Sequence, residues 1–124
     1  MARRPASRTS HYPRSARLGE LLREILAVEL TRLEDARLEL ASITGVDTSS
    51  ELSRATVYIS VLDVAGTAAA LEALQEHRLA LKGAVARSDA VRRVPDLEFA
   101  LDPAIAAGER VDQILRSLAN EENR

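Results

Sequence analysis

Apolar residues recur at steps of three and four between Leu18 and Leu33, which predicts an amphipathic helix beginning near Ser15. The first 14 residues have no such period and mix arginine, serine, proline and histidine. We expect them to form a disordered basic arm, because burial of apolar surface cannot offset the entropy cost of ordering them. A folded domain over residues 15–119 and a short tail over residues 120–124 complete the predicted organisation.

Two strands are predicted after this helix, at about Leu40–Val46 and Arg54–Leu62. The second alternates between apolar and polar residues, the period that places one face of a strand on a core. Its apolar positions are Ala55, Val57, Ile59 and Val61. A polar connection at residues 47–51 favours an antiparallel hairpin joined by a loop, and Gly45 is typical of a β-bulge.

The second half of the chain predicts an interrupted helical segment, a strand and a short helix. The helical segment runs from Ala68 to about Ser88, and the strand follows Pro95. The last helix is expected to begin just after Gly108, on an apolar stripe that starts at Val111. These elements indicate an α+β domain in which helices cover one face of a three-stranded sheet.

Four blocks that follow the first helix resemble, in order, the ribosome-binding factor A family. They are Leu33–Leu38, Ile43–Asp47, Ala55–Ser60 and Arg92–Phe99, within a similarity that covers residues 15–118. The resemblance implies a type II KH-like fold of order α-β-β-α-α-β, to which this chain adds the short C-terminal helix. It also implies non-catalytic docking on the small (30S) ribosomal subunit, near the 5′ end of 16S rRNA, during late assembly.

One segment departs from the family pattern. The family usually has an Ala-x-Gly kink between its paired helices, whereas this chain has His77-Arg78-Leu79 there and its nearest glycine is Gly83. Three arrangements remain open at this point: one bent helix, a kink at Gly83, or a kink held by tertiary contacts. RNA contacts assigned to the family's kink do not transfer directly to this chain.

The net charge of -2 is unevenly distributed, so local basic patches must provide any contact with phosphate. Residues 1–17 carry five arginines and no acid, which leaves twelve basic residues against all nineteen acidic ones in the remainder. The candidate RNA-binding residues are Arg14, Arg17, Arg78, Lys82, Arg87, Arg92 and Arg93. The alternative is that those of the second half are solvated charges paired with Glu72, Glu76, Asp89 and Asp96, and that the arm is an inert end.

The composition contains no pattern that is typical of an enzyme. There is no cysteine, the two histidines are distant in sequence, and no phosphate-binding glycine loop precedes a helix. We expect no cofactor, no metal, no small-molecule substrate, no membrane partner, a monomeric state and a cytoplasmic location. With only three aromatic residues, recognition of RNA should depend on phosphate, sugar and shape.

Two rival hypotheses remain. The apolar faces of the first and last helices could bind a partner protein, or the domain could bind DNA. Salt dependence separates RNA docking from a hydrophobic groove, because phosphate contacts release counterions.

Overall fold

The computed structural model describes residues 14–122, in which four α-helices and three strands follow the predicted order. They are α1 (Arg14–Arg32), β1 (Ala41–Thr48), β2 (Arg54–Val61), α2 (Thr67–Glu76), α3 (Arg78–Ala86), β3 (Asp96–Leu101) and α4 (Pro103–Glu122). The predicted arm lies outside the described residues except for Arg14, which is the first residue of α1. The α+β class and the three-stranded sheet are confirmed.

The central strand of the sheet is β2, which pairs antiparallel with β1 and parallel with β3. The register between β1 and β2 shifts between Ile43 and Gly45, so Thr44 is the extra residue of a bulge. The bulge predicted at Gly45 is therefore confirmed, one residue earlier. Because β2 and β3 are parallel, both strands begin at the same end of the sheet.

The core lies between one face of the sheet and helices α1, α2 and α3. Val57 and Ile59 are 1% and 0% exposed, as the alternation in β2 predicts. In α1 the buried leucines are Leu22, Leu26 and Leu30, spaced four apart along one stripe. Helix α1 also approaches β1 closely, because a Cβ added at Gly19 would lie 2.5 Å from the carbonyl oxygen of Val46.

Helix α4 is longer than the sequence predicts, because it begins at Pro103 rather than after Gly108. Proline suits the first turn of a helix, and the Asp102 carboxylate accepts a hydrogen bond of 2.8 Å from the Ala104 amide. The apolar stripe used for the prediction begins only at Val111, which explains the missed turns. The helix continues to residue 122, inside the segment assigned to a tail.

The apolar stripe of α4 is solvent-exposed, with each of its four side chains more than half accessible. They are Val111, Ile114, Leu115 and Leu118. Among residues 14–122, no helix has the length and apolar character needed to cross a membrane.

Candidate nucleic-acid interface

The connection between α3 and β3 holds Arg92 and Arg93 at the surface. Val91 on one side and Pro95 on the other are buried, and the amide of Val91 donates to the Ser88 carbonyl at 3.2 Å. The two arginines between these anchors are exposed, and neither forms an ion pair with another described residue. This part of the chain therefore presents two guanidinium groups to solvent from a fixed backbone.

The loop between β1 and β2 is held by one serine. The Ser49 hydroxyl accepts hydrogen bonds of 3.1 Å from the amides of Ser53 and Arg54, and the Ser49 carbonyl accepts one of 2.9 Å from Leu52. Leu52 adopts a φ of 62°, in the left-handed region that a leucine rarely occupies. The hydrogen bonds with Ser49 hold the loop in this conformation.

These two segments and the start of α1 enclose a cavity of about 350 Å³ that we call the basic-rimmed pocket. Three of the predicted RNA-binding residues, Arg17, Arg92 and Arg93, line it together with one acid, Glu51. The remaining lining residues are apolar: Leu18, Leu21, Leu52, Ala90 and Val91. The structure thus brings together arginines that are about 75 positions apart in the sequence.

A second basic group lies where β2 and β3 begin. Lys82 in α3 donates to the Asp96 carboxylate at 3.0 Å. This hydrogen bond is the main cause of the lowered pKa of Asp96, and the positive charges of Arg78 and Arg54 contribute to the same shift. The ion pair between Lys82 and Asp96, which the sequence offers as the alternative to RNA contact, is present in the structure, and Lys82 stays a candidate RNA-binding residue. Sequence reasoning missed Arg54, which pairs with Asp96 in the parallel register of β2 and β3.

Arg87 does not join the cations around Asp96. It caps the end of α3 and approaches Glu29 of α1, with 3.8 Å between the charged groups. Lys82 and Arg87 are five residues apart, so they point about 140° from each other around the helix. The predicted set therefore divides: Arg17, Arg92 and Arg93 line one pocket, whereas Arg87 faces an acid on α1.

The break between α2 and α3 falls at His77, with φ and ψ of -90° and 7°. The His77 Nε2 atom lies 3.0 Å from the Asp35 carboxylate, and Arg37 donates two hydrogen bonds, of 2.8 and 3.1 Å, to the Glu76 carboxylate. Of the three open arrangements, the structure has the kink held by tertiary contacts. Gly83 lies inside α3.

Asp35 is the centre of this contact. Its carboxylate accepts hydrogen bonds from the Arg37 side chain and backbone and faces the His77 ring, and these bonds, led by that of the Arg37 side chain, hold the pKa of Asp35 well below its usual value. Within residues 14–122, no group of three or more acidic or histidine side chains is arranged to hold a metal ion. His11 lies outside these residues.

Comparison with known proteins places this geometry in a family. Residues 14–115 match the model of the family described as ribosome-binding factor A. The ribosome-binding factor A of Rhodopseudomonas palustris strain HaA2 is 37% identical over 114 residues, which cover 89% of this chain and 84% of that protein. The similarity thus spans nearly the whole domain.

Two structures from Thermus thermophilus are also similar. The crystal structure of its ribosome-binding factor A has a TM-score of 0.64 and 36% identity, covering 70% of this chain and 94% of that one. A homology model of the T. thermophilus protein, fitted into a cryo-EM map of its complex with the 30S subunit, has a TM-score of 0.57 and 35% identity. That alignment covers 68% of this chain and 91% of the other.

Proposed function

The chain belongs to the ribosome-binding factor A family, and we propose that it is a ribosome-biogenesis factor that binds the immature 30S subunit. In this proposal it acts in the cytoplasm, without catalysis, by docking on 16S rRNA during late maturation of that RNA. The T. thermophilus relative fitted into a 30S map supports the small subunit as the partner.

The observation that carries the RNA-docking mechanism is the clustering of cations at one end of the sheet. Arg17, Arg92 and Arg93 surround one pocket, while Arg54, Arg78 and Lys82 lie around Asp96 where β3 begins. Arginine binds phosphate oxygens through its planar fork, so exposed guanidinium groups on a rigid connection suit an RNA backbone. The chain as a whole is acidic. The cations at this end of the sheet therefore provide the local positive field that an RNA backbone requires.

The test reverses the charge of two exposed arginines, Arg92 and Arg93. Replacing Arg92 and Arg93 together by glutamate should abolish stable co-sedimentation with immature 30S subunits, because two attractions to phosphate become two repulsions. Both side chains are exposed, so the variant should keep the circular dichroism spectrum and Tm of the parent. The proposed role of residues 1–13 is an electrostatic tether, and their removal should weaken binding less than this double reversal.

A matched control makes the same arginine-to-glutamate change at two positions away from this end of the sheet. Arg32 at the end of α1 and Arg116 in α4 are exposed arginines, each with one long surface ion pair, of 3.8 and 3.9 Å. Their double replacement by glutamate should leave co-sedimentation nearly unchanged. Equal binding by the Arg92/Arg93 variant and the parent would place the RNA-facing surface elsewhere, with Arg78 and Lys82 as the next candidates.

A second candidate function is protein interaction, which the exposed stripe of α4 favours. A hydrophobic contact through Ile114 and Leu118 would be nearly insensitive to ionic strength, whereas phosphate contacts weaken steeply as salt rises. Co-sedimentation across a salt series therefore separates the two candidates.

A further inference from the structure

We propose that the basic-rimmed pocket receives one unstacked base of single-stranded RNA, with the phosphates on either side of that base held by its arginines. This inference rests on the proposed function, because it names the part of the RNA that the cations at this end of the sheet would bind. It assigns the pocket a ligand class and gives Leu52 a role that charge alone does not predict.

The two parts of the pocket have different chemistry. The apolar lining includes the half-buried side chains of Leu18, Leu21 and Leu52, which can cover the face of a base by van der Waals contact. The lining also includes three exposed arginines and one exposed carboxylate, so the pocket has a net positive charge beside its apolar side chains. A base is apolar on its faces and is joined to a phosphate on each side, and this combination matches both parts.

The volume of the pocket limits the occupant. Ligand pockets in proteins are typically about 300–1,000 Å³, and this one, at about 350 Å³, is at the small end of that range. A pocket of this size suits a single base better than a helix or strand of a partner protein. The remaining cations at the same end of the sheet, Arg54 and Lys82, can contact the RNA backbone as it continues beyond the pocket.

The backbone of Leu52 is the second observation. A leucine at a φ of 62° is strained relative to an ordinary conformation, and glycine would adopt it without strain. The Ser49 contacts hold this loop, and Leu52 nevertheless contributes a half-buried leucine side chain to the pocket. Residues held in such sparsely populated conformations are concentrated at active sites, ligand clamps and switch regions.

Leu52→Gly therefore tests the proposal with little effect on the fold. The substitution removes one of the apolar side chains that line the pocket, relieves the backbone and leaves every charge in place. Leu62→Gly is the matched control, because Leu62 follows β2 as Leu52 precedes it and is 84% exposed. The probe is a short single-stranded RNA carrying 2-aminopurine at one position, titrated into the full chain with anisotropy and 2-aminopurine fluorescence as the two signals.

For the parent and Leu62→Gly, binding should change the 2-aminopurine fluorescence. For Leu52→Gly, Kd should rise about tenfold, as expected for loss of one leucine side chain that covers part of the base, and the fluorescence change should disappear. The slope of log Kd against log salt should stay at the parent value, since the number of phosphate contacts is unchanged. Replacing Arg92 and Arg93 by glutamate should instead reduce that slope.

Parent-like affinity and fluorescence in Leu52→Gly would overturn the proposal, and so would an absence of RNA binding by the parent. Displacement of the RNA by a short acidic, leucine-containing peptide with lower Kd would also overturn it, in favour of a protein partner. The proposed function is tested separately, by co-sedimentation of the parent with 30S subunits. A failed pocket experiment with intact co-sedimentation would remove only the base-binding role.

Discussion

Replacing Gly19 by alanine should destabilise the domain, although the same change inside a helix normally stabilises it. Alanine is favoured over glycine in helix interiors by about 0.5–1 kcal/mol. At Gly19 the new methyl group would lie 2.5 Å from the Val46 carbonyl oxygen, about 1 Å closer than ordinary contact. That oxygen belongs to the backbone of a paired strand, since Val46 is in register with Val57, and it cannot rotate away.

Relief of this clash requires α1 to move away from β1, which separates its buried leucines from the sheet. Overpacking of this kind typically costs about 1–3 kcal/mol, more than the gain in helix propensity. We therefore expect a net loss of about 1–2 kcal/mol and a fall in Tm of roughly 4–8 °C. Urea and thermal unfolding followed by circular dichroism measure both quantities.

Gly83→Ala is the matched control. Gly83 also lies inside a helix, but its added Cβ would be 3.6 Å from the Arg87 guanidinium, an ordinary contact with a flexible side chain. This variant should gain about 0.5–1 kcal/mol. If Gly19→Ala were stabilised to the same extent, the close approach of α1 to β1 would be wrong.

Two further predictions concern the core and the kink. Ile59→Ala should cost about 2–5 kcal/mol, because this side chain is 0% exposed under the helices; an unchanged urea midpoint would mean that the faces of β2 are reversed. The pKa of Asp35 is lowered, chiefly by Arg37, so its ionised form stabilises the fold above its unfolded pKa of about 3.8, and this stabilisation is lost as pH falls towards the folded pKa. Asp35→Asn should therefore show a smaller fall in Tm than the parent from about pH 7 to about pH 2, and parallel curves for the two proteins would contradict this.

Most of the fold follows from local patterns in the sequence. The alternation in β2 predicted which of its side chains are buried, and the steps of three and four in α1 predicted its buried stripe. Helix α4 was predicted too short, because its first turns depend on capping by Asp102 and on Pro103 rather than on apolar periodicity. Capping acts through single residues, so a search for periodicity does not detect it.

The candidate site was less predictable, because its members meet only after the chain has folded. The sequence predicts Arg17, Arg92 and Arg93 among seven candidate RNA-binding residues, with Arg17 in a basic N-terminal region. It could not show that all three line one pocket with Leu52, since this depends on the hairpin loop and on packing of α1. Arg54 was missed for the same reason: its pairing with Asp96 depends on the register of a parallel strand pair.

The kink illustrates how a tertiary contact can replace a residue type. His77 breaks the helix at a negative φ, which any residue can adopt, so glycine is not needed for the backbone conformation itself. Asp35 and Arg37, from a segment about 40 residues earlier, hold the break by contacting the His77 ring and the Glu76 carboxylate. Arg78 follows His77 directly and Lys82 lies one turn further, so the same contact fixes where α3 presents its cations relative to Asp96. Asp35 lowers the net charge of the chain, and through its contact with His77 it also helps to position the cations of α3.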